Sequence, residues 1–222
     1  APGNGGTALE PNMTNVNIGA EDIPALVDFA KEQHIDLCIV GPEAPLVAGL
    51  VDQMAAHNIA CFGPNQQAAQ LEGSKAFAKA FMQKYSIPTA KHRVFTDFDE
   101  AWQWCQQSTF PLVIKADGLA AGKGVTICQT KKQLIKSALE IFQGKFKSSK
   151  KVVLEEFLKG EEASYFVLVD KNSFKFFGTA QDHKRVYEND KGPNTGGMGA
   201  YSPAPIITKK LEKKIISNII KP

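Results

Sequence analysis

The sequence predicts an α/β fold: a parallel, doubly wound layer, then a mixed α+β unit built on a glycine-rich hairpin. Three observations carry this. Between residues 22 and 62, apolar residues at helical spacing alternate with short β-branched runs, the βαβ rhythm of a parallel sheet. In Pro111-Leu-Val-Ile-Lys-Ala-Asp-Gly-Leu-Ala-Ala-Gly-Lys-Gly-Val125, an apolar run enters a loop holding Gly118, Gly122 and Gly124, and Val125-Thr-Ile-Cys128 returns from it. Residues 162–170 and 174–177 then read as adjacent antiparallel strands around the turn Asp170-Lys-Asn-Ser173.

Taken in order, Ile23, Leu26, Val27 and Ala30 line one face of a helix over residues 22–34. Ile35-Asp-Leu-Cys-Ile-Val40 is a buried strand ending at Gly41-Pro-Glu-Ala-Pro45, a helix over 46–58 follows, and Ile59-Ala-Cys-Phe62 leads to a Gly-Pro-Asn turn. Glu43 and Asn65 both lie in strand-end turns, where a side chain either forms the turn or faces a ligand; turn formation is the simpler role for Asn65. Ser74 is an N-cap for a helix reaching Tyr85, with Lys75 and Lys79 one turn apart, an arrangement ordinarily left in solvent. Residues 91–95 form a short strand, 97–107 a helix packing through Phe98, Trp102 and Cys105, and 131–142 another helix. Val152-Val-Leu-Glu-Glu-Phe-Leu158 is a strand with two carboxylates at its end, and from Gln181 to Tyr201 the chain reads as a loop. Thr208 caps a last amphipathic helix over 209–220.

Lys plus Arg exceeds Asp plus Glu by only three, 26 against 23. That mild basic balance suits phosphorylated small molecules, whereas nucleic-acid binding usually leaves a stronger footprint. The most basic run, Lys145-Phe-Lys-Ser-Ser-Lys-Lys151, reads as a solvated loop. The four cysteines show no C-x-x-C spacing, which points to free thiols in a reduced, cytoplasmic compartment. No stretch approaches 18 consecutive apolar residues, so no membrane partner is expected. The opening Ala1-Pro-Gly-Asn-Gly-Gly6 resembles an interior loop, and the chain is expected to be a portion of a longer one.

The chemistry concentrates in three places. In the hairpin, glycines let backbone N–H groups approach an anion closely, and Lys115 and Lys123 add compact positive charge; this suits a polyphosphate. It is not a Walker loop: the spacing from Gly118 to Gly122-Lys123 is one residue short, Gly124 replaces the hydroxyl residue, and a strand follows where a helix is required. The acids Glu155, Glu156, Glu161 and Glu162 are either surface charge or acceptors for ribose hydroxyls and the adenine amine. Gln181-Asp-His-Lys-Arg185 and Gly192-Pro-Asn-Thr-Gly-Gly-Met-Gly-Ala-Tyr201 are poorly suited to a core and well suited to an anionic substrate.

These motifs, together with Ala1-Pro-Gly-Asn-Gly-Gly-Thr-Ala8, Ile39-Val-Gly-Pro-Glu-Ala-Pro-Leu46, Leu71-Glu-Gly-Ser-Lys-Ala76 and Gly160-Glu-Glu-Ala-Ser164, resemble the ATP-grasp enzymes and, within them, the glycinamide ribonucleotide synthetases (phosphoribosylamine–glycine ligases). The hairpin alone says only ATP-grasp; the two last motifs are the more specific. The resemblance implies a Rossmann-like domain over 1–72 lacking its first strand. It implies a truncated ATP-grasp domain over 73–222, with a small mobile lobe near 110–178.

The resemblance also implies roles. Lys115 and Lys75 hold ATP phosphates, and Gly118, Gly122, Lys123 and Gly124 belong to the mobile loop over the triphosphate. Glu155, Phe157 and Leu158 read adenine, and Glu162 holds ribose. Asp182, Lys184 and Arg185 act on the substrates, and Glu43, Asn194, Thr195, Gly197 and Met198 bind them. The implied substrates are glycine and 5-phosphoribosylamine, joined through a glycyl phosphate, with ATP and Mg²⁺ or Mn²⁺ as cofactors. The family's metal-binding strand would follow Pro222, so no metal ligand is assigned, and its Arg-Glu-His turn would precede Ala1. Other ATP-grasp ligases or carboxylases, or a noncatalytic nucleotide-binding module, are the alternative readings.

Overall fold

The computed structural model describes residues 1–120, 123–146, 151–189 and 191–222. The chain divides into two compact units, Ala1–Tyr85 with Thr89–Phe157, and Ser86–Pro88 with Leu158–Pro222.

The first unit opens with a 3₁₀ turn at Thr7–Leu9, then helix α1 (Ile23–Glu32), capped by the Asp22 carboxylate accepting from Ala25 N. Strand β1 (Cys38–Ile39) pairs in parallel with β2 (Cys61–Phe62), the expected doubly wound rhythm in a shorter form. The single helix expected over 46–58 is instead two, α2 (Glu43–Val47) and α3 (Leu50–Ala56). Gly49, at φ +93°, sits in the left-handed region between them and breaks the helix. Val27, Ala30, Leu50 and Met54 form this layer's core, with Cys38 and Cys61 against it. The Cys61 thiol is pushed up to about 12, by burial first and by the facing Cys38.

Helices α4 (Gln70–Gly73) and α5 (Lys75–Lys84) follow, with Ser74 Oγ accepting from Phe77 N as the expected cap. Next come β3 (His92–Phe95), α6 (Phe98–Gln106), β4 (Leu112–Ala116), β5 (Val125–Cys128), α7 (Lys131–Phe142) and β6 (Val152–Glu156). The strands form an antiparallel sheet in the order β3-β6-β4-β5. Alternation along a strand sends successive side chains to opposite faces. Leu112, Ile114 and Ala116 of β4, with Val152 and Leu154 of β6, therefore enter one core with Cys105, Leu134, Ala138 and Ile141 of α6 and α7. The other face receives Val113, Lys115, Val153 and Glu155.

In the second unit, β7 (Ser164–Val169) and β8 (Phe174–Asp182) pair antiparallel, and the Asp170 carboxylate accepts from Asn172 N and Ser173 N to close the predicted turn. The stretch expected as a loop carries short strands between its turns. Strand β8 runs on to Asp182, β9 (Arg185–Tyr187) pairs with β10 (Lys191–Asn194), and β11 (Ala200–Tyr201) pairs with β8. Its glycines had hidden this by masking the period-two pattern. Thr208 caps α8 (Lys209–Ile215), which continues as a π turn over Ile216–Ile220.

Candidate functional site

The β4–β6 register aligns Val113 with Glu155 and Lys115 with Val153. Lys115 and Glu155 are thus diagonal neighbours on one face, a separation that long side chains close. Lys115 Nζ lies 3.0 Å from Glu155 Oε2. Lys79 Nζ approaches the same oxygen from α5 at 3.1 Å and also donates to Thr89 Oγ1 at 2.7 Å. Lys79 is buried, against the expectation of a solvated helix face, because Glu155 offers it a counter-charge inside the fold. Glu155 Oε1 is buried and has no hydrogen-bond partner among the described residues. A buried polar atom left unpaired is costly, so this oxygen is poised to accept from a ligand's N–H or O–H. Glu156, one residue on, faces the other way and accepts from Lys91 N at 2.8 Å.

The glycine loop is tied down at its start. Asp117, 5% exposed, accepts from Ser74 Oγ and from Ala76 N at the N-terminus of α5. Lys75 Nζ donates to Gly118 O at 2.8 Å, and Gly118 takes φ +84°. Partial burial lowers the Lys75 ammonium below the ordinary lysine value and the Lys115 charge adds to this, while Asp117, Glu72 and Glu155 pull it back up. At the far end, a Cβ on Gly124 would lie 2.8 Å from Ala120 Cβ, so the hairpin closes only with glycine there. Lys123 is exposed in the turn before Gly124; Gly122 lies outside the described residues.

The second unit holds another group of predicted residues. Residues 160–162 and 181–184 line a cavity of about 160 Å³. In it Lys184 Nζ meets Glu162 Oε2 at 3.0 Å, joining two residues that sequence reasoning had assigned to separate roles. Asp182 ends β8 and is exposed. Arg185 opens β9 opposite Asn194, and Thr195 N donates to Lys184 O at 2.8 Å. Gly197 takes φ +78°, and Met198 and Leu158 are 40% and 63% exposed, with Phe157 half-buried. Glu43 is not in a turn: it is the first residue of α2, exposed, and joined to no other predicted site residue by a hydrogen bond or ion pair among the described residues.

Residues 73–222 match the family described as phosphoribosylglycinamide synthetase, ATP-grasp (A) domain, and residues 1–72 match its N domain. The chain belongs to the phosphoribosylglycinamide synthetase family. A phosphoribosylamine–glycine ligase of Vibrio vulnificus (strain YJ016) is 51% identical over 224 residues, covering 100% of this chain and 52% of that protein. The crystal structure of phosphoribosylamine–glycine ligase from Thermotoga maritima superposes with a TM-score of 0.78 at 32% identity, covering 97% of this chain and 51% of that one. A biotin carboxylase from Campylobacter jejuni, with a TM-score of 0.72 and 19% identity over 90% of this chain and 45% of its own, shares the fold. The chain spans about half the length of the curated relatives it matches. The fold is therefore the expected one, an N-terminal α/β domain followed by an ATP-grasp domain.

Lys79 and Asp117 are the residues that these contacts add to the candidate site and that the sequence had not singled out. Lys79 carries no signal beyond its one-turn spacing from Lys75. Asp117 stands directly before the first loop glycine, a position that marks an anchor once the loop's chemistry is recognised.

Proposed function

We propose that the full-length protein is an ATP-dependent ligase of purine biosynthesis that joins glycine to 5-phosphoribosylamine. The observation that carries this is Glu155, a buried carboxylate whose one oxygen holds two lysines and whose other oxygen has no partner among the described residues. A carboxylate so held suits the exocyclic amine of adenine, and Lys115 beside it suits phosphate. Relatives named phosphoribosylamine–glycine ligase support the substrate pair.

In this reading Lys115 and Lys75 neutralise the triphosphate, with Lys123 and the amides of the glycine loop. Glu155, Phe157 and Leu158 receive adenine, and Glu162 receives ribose. An oxygen of glycine's carboxylate attacks the γ-phosphorus as the bridging P–O bond to ADP breaks. The amine of phosphoribosylamine then attacks the acyl carbon, and inorganic phosphate leaves with the C–O bonding pair. Phosphoryl transfer of this kind depends mainly on alignment and charge neutralisation. Asp182, Lys184 and Arg185 orient the reacting groups, and Asn194, Thr195, Gly197 and Met198 hold the substrates. The position of Glu43 gives it no support as a substrate ligand.

Among the described residues no group of three or more His, Cys, Asp or Glu side chains could hold a metal ion by itself; Mg²⁺ or Mn²⁺ bound to a nucleotide takes phosphate oxygens and only one or two carboxylates, and it stays in this reading as the ion carried with ATP, with no ligand assigned. No helix among the described residues is long and apolar enough to cross a membrane, and four free thiols suit the cytoplasm.

The test is ADP release by the full-length protein with ATP, glycine and phosphoribosylamine generated in situ. Release should require both co-substrates. Asp182→Ala and Arg185→Ala should keep ATP affinity and lose turnover; losing both together would assign the 181–185 segment to the nucleotide instead.

A further inference from the structure

The buried cluster on the β4–β6 face has an uneven charge count. Two ammonium groups, Lys79 and Lys115, share one carboxylate oxygen of Glu155. The side chain of Lys79 is 8% exposed and that of Lys115 is 27%. Lys79 is held from three sides, by Glu155 Oε2, Thr89 Oγ1 at 2.7 Å and Ala90 O at 3.4 Å. It is therefore fixed in place and turned toward the protein. Lys115 has the access.

We propose that Lys79 is a positioning residue which neutralises Glu155, so that Lys115 keeps an uncancelled positive charge for the nucleotide phosphates. This rests on the ATP-site reading above. A Lys115–Glu155 pair alone would be neutral, and an approaching polyanion would meet the carboxylate's repulsion along with the ammonium's attraction. With Lys79 bound to the same oxygen the cluster carries a net charge of +1, and that charge is expressed at its accessible member. Burial strengthens the effect, because charges in a partly buried site are screened far less than on the surface. Lys79 also holds Oε2 in place, which leaves Oε1 as the free acceptor.

The experiment compares ATP with adenosine, which shares base and sugar and lacks the phosphates. Both are titrated calorimetrically into the full-length protein. Lys79→Met should lower ATP affinity about tenfold and change adenosine affinity by less than about twofold. Adding Glu155→Gln should restore the ATP-to-adenosine affinity ratio to within about threefold of wild type, since the double variant again carries one net positive charge. An unchanged ratio in Lys79→Met, with both affinities intact or both reduced, overturns the proposal, as does a double variant that fails to restore it. Should Lys79→Met not fold, Lys79→Gln decides, since its amide can still donate to Thr89 Oγ1 while carrying no charge: the ATP-to-adenosine ratio should again fall about tenfold, and an unchanged ratio overturns the idea. Wild-type protein that binds neither ligand would instead sink the ATP-site reading on which this stands.

Discussion

Lys79 and Glu155 stand 76 positions apart in the sequence, and their side chains form an ion pair of 3.1 Å with both partners more than nine-tenths buried. The same carboxylate oxygen receives Lys115 at 3.0 Å. The pair joins helix α5 to strand β6 and sets the electrostatics of the face that bears the proposed site.

Removing the carboxylate should therefore be felt in stability. Glu155→Ala leaves the Lys79 ammonium buried with only neutral partners, a loss worth about 3–5 kcal/mol for a broken buried pair. Urea denaturation followed by circular dichroism should show the midpoint falling with an unchanged slope. A midpoint matching wild type would mean that water reaches Lys79 and the pair contributes little.

The contact between Ser74 and Asp117 predicts energetic coupling. Ser74→Ala removes a helix cap and should cost about 1 kcal/mol. Asp117→Ala removes the acceptor for Ser74 Oγ and Ala76 N and should cost about 1–3 kcal/mol. Because the two share a hydrogen bond, the double variant should lose less than the sum, by about 0.5 kcal/mol or more. Strict additivity would show that the loop and the helix are anchored independently.

Lys115→Met should weaken ATP binding about ten- to a hundredfold, as expected for one charge-assisted hydrogen bond of roughly 1.5–3 kcal/mol. The urea midpoint should move little, since Lys79 still satisfies Glu155. Calorimetric titration settles the matter: an unaltered dissociation constant removes Lys115 from the phosphate site.

The Cys61 and Cys105 thiols should be inert near neutrality. Burial and the neighbouring Cys38 push Cys61 up to about 12, and burial pushes Cys105 up to about 11. The folded state thus holds these protons where the unfolded chain, near 9.0, releases them. Their contribution to stability is complete below about pH 9 and is lost as pH rises toward 11–12. Alkylation by iodoacetamide at pH 8 should be at least about tenfold slower in native protein than in urea-unfolded protein. Equal rates in the two states would show that neither thiol is protected.

Much of this molecule follows from local chemistry, and for that reason it was legible in the sequence. Ser74 and Thr208 cap the helices they were expected to cap, and Asp22, Asp97 and Thr130 cap three more that apolar periodicity had placed, since a cap needs only a side-chain oxygen beside the first turn. The hairpin from Leu112 to Cys128 and the motifs that place the chain in its family are equally local. What tertiary structure alone decided concerns residues whose neighbours are distant in the chain. Glu155 and Glu156 are indistinguishable as letters, and strand alternation together with pairing against β4 turned one inward to two lysines and the other out to Lys91 N. Lys79 matches a solvated helix residue in type and spacing, and a carboxylate 76 positions away drew it into the interior. Burial of charge is a property of both partners at once, and register between distant strands is what brings those partners together.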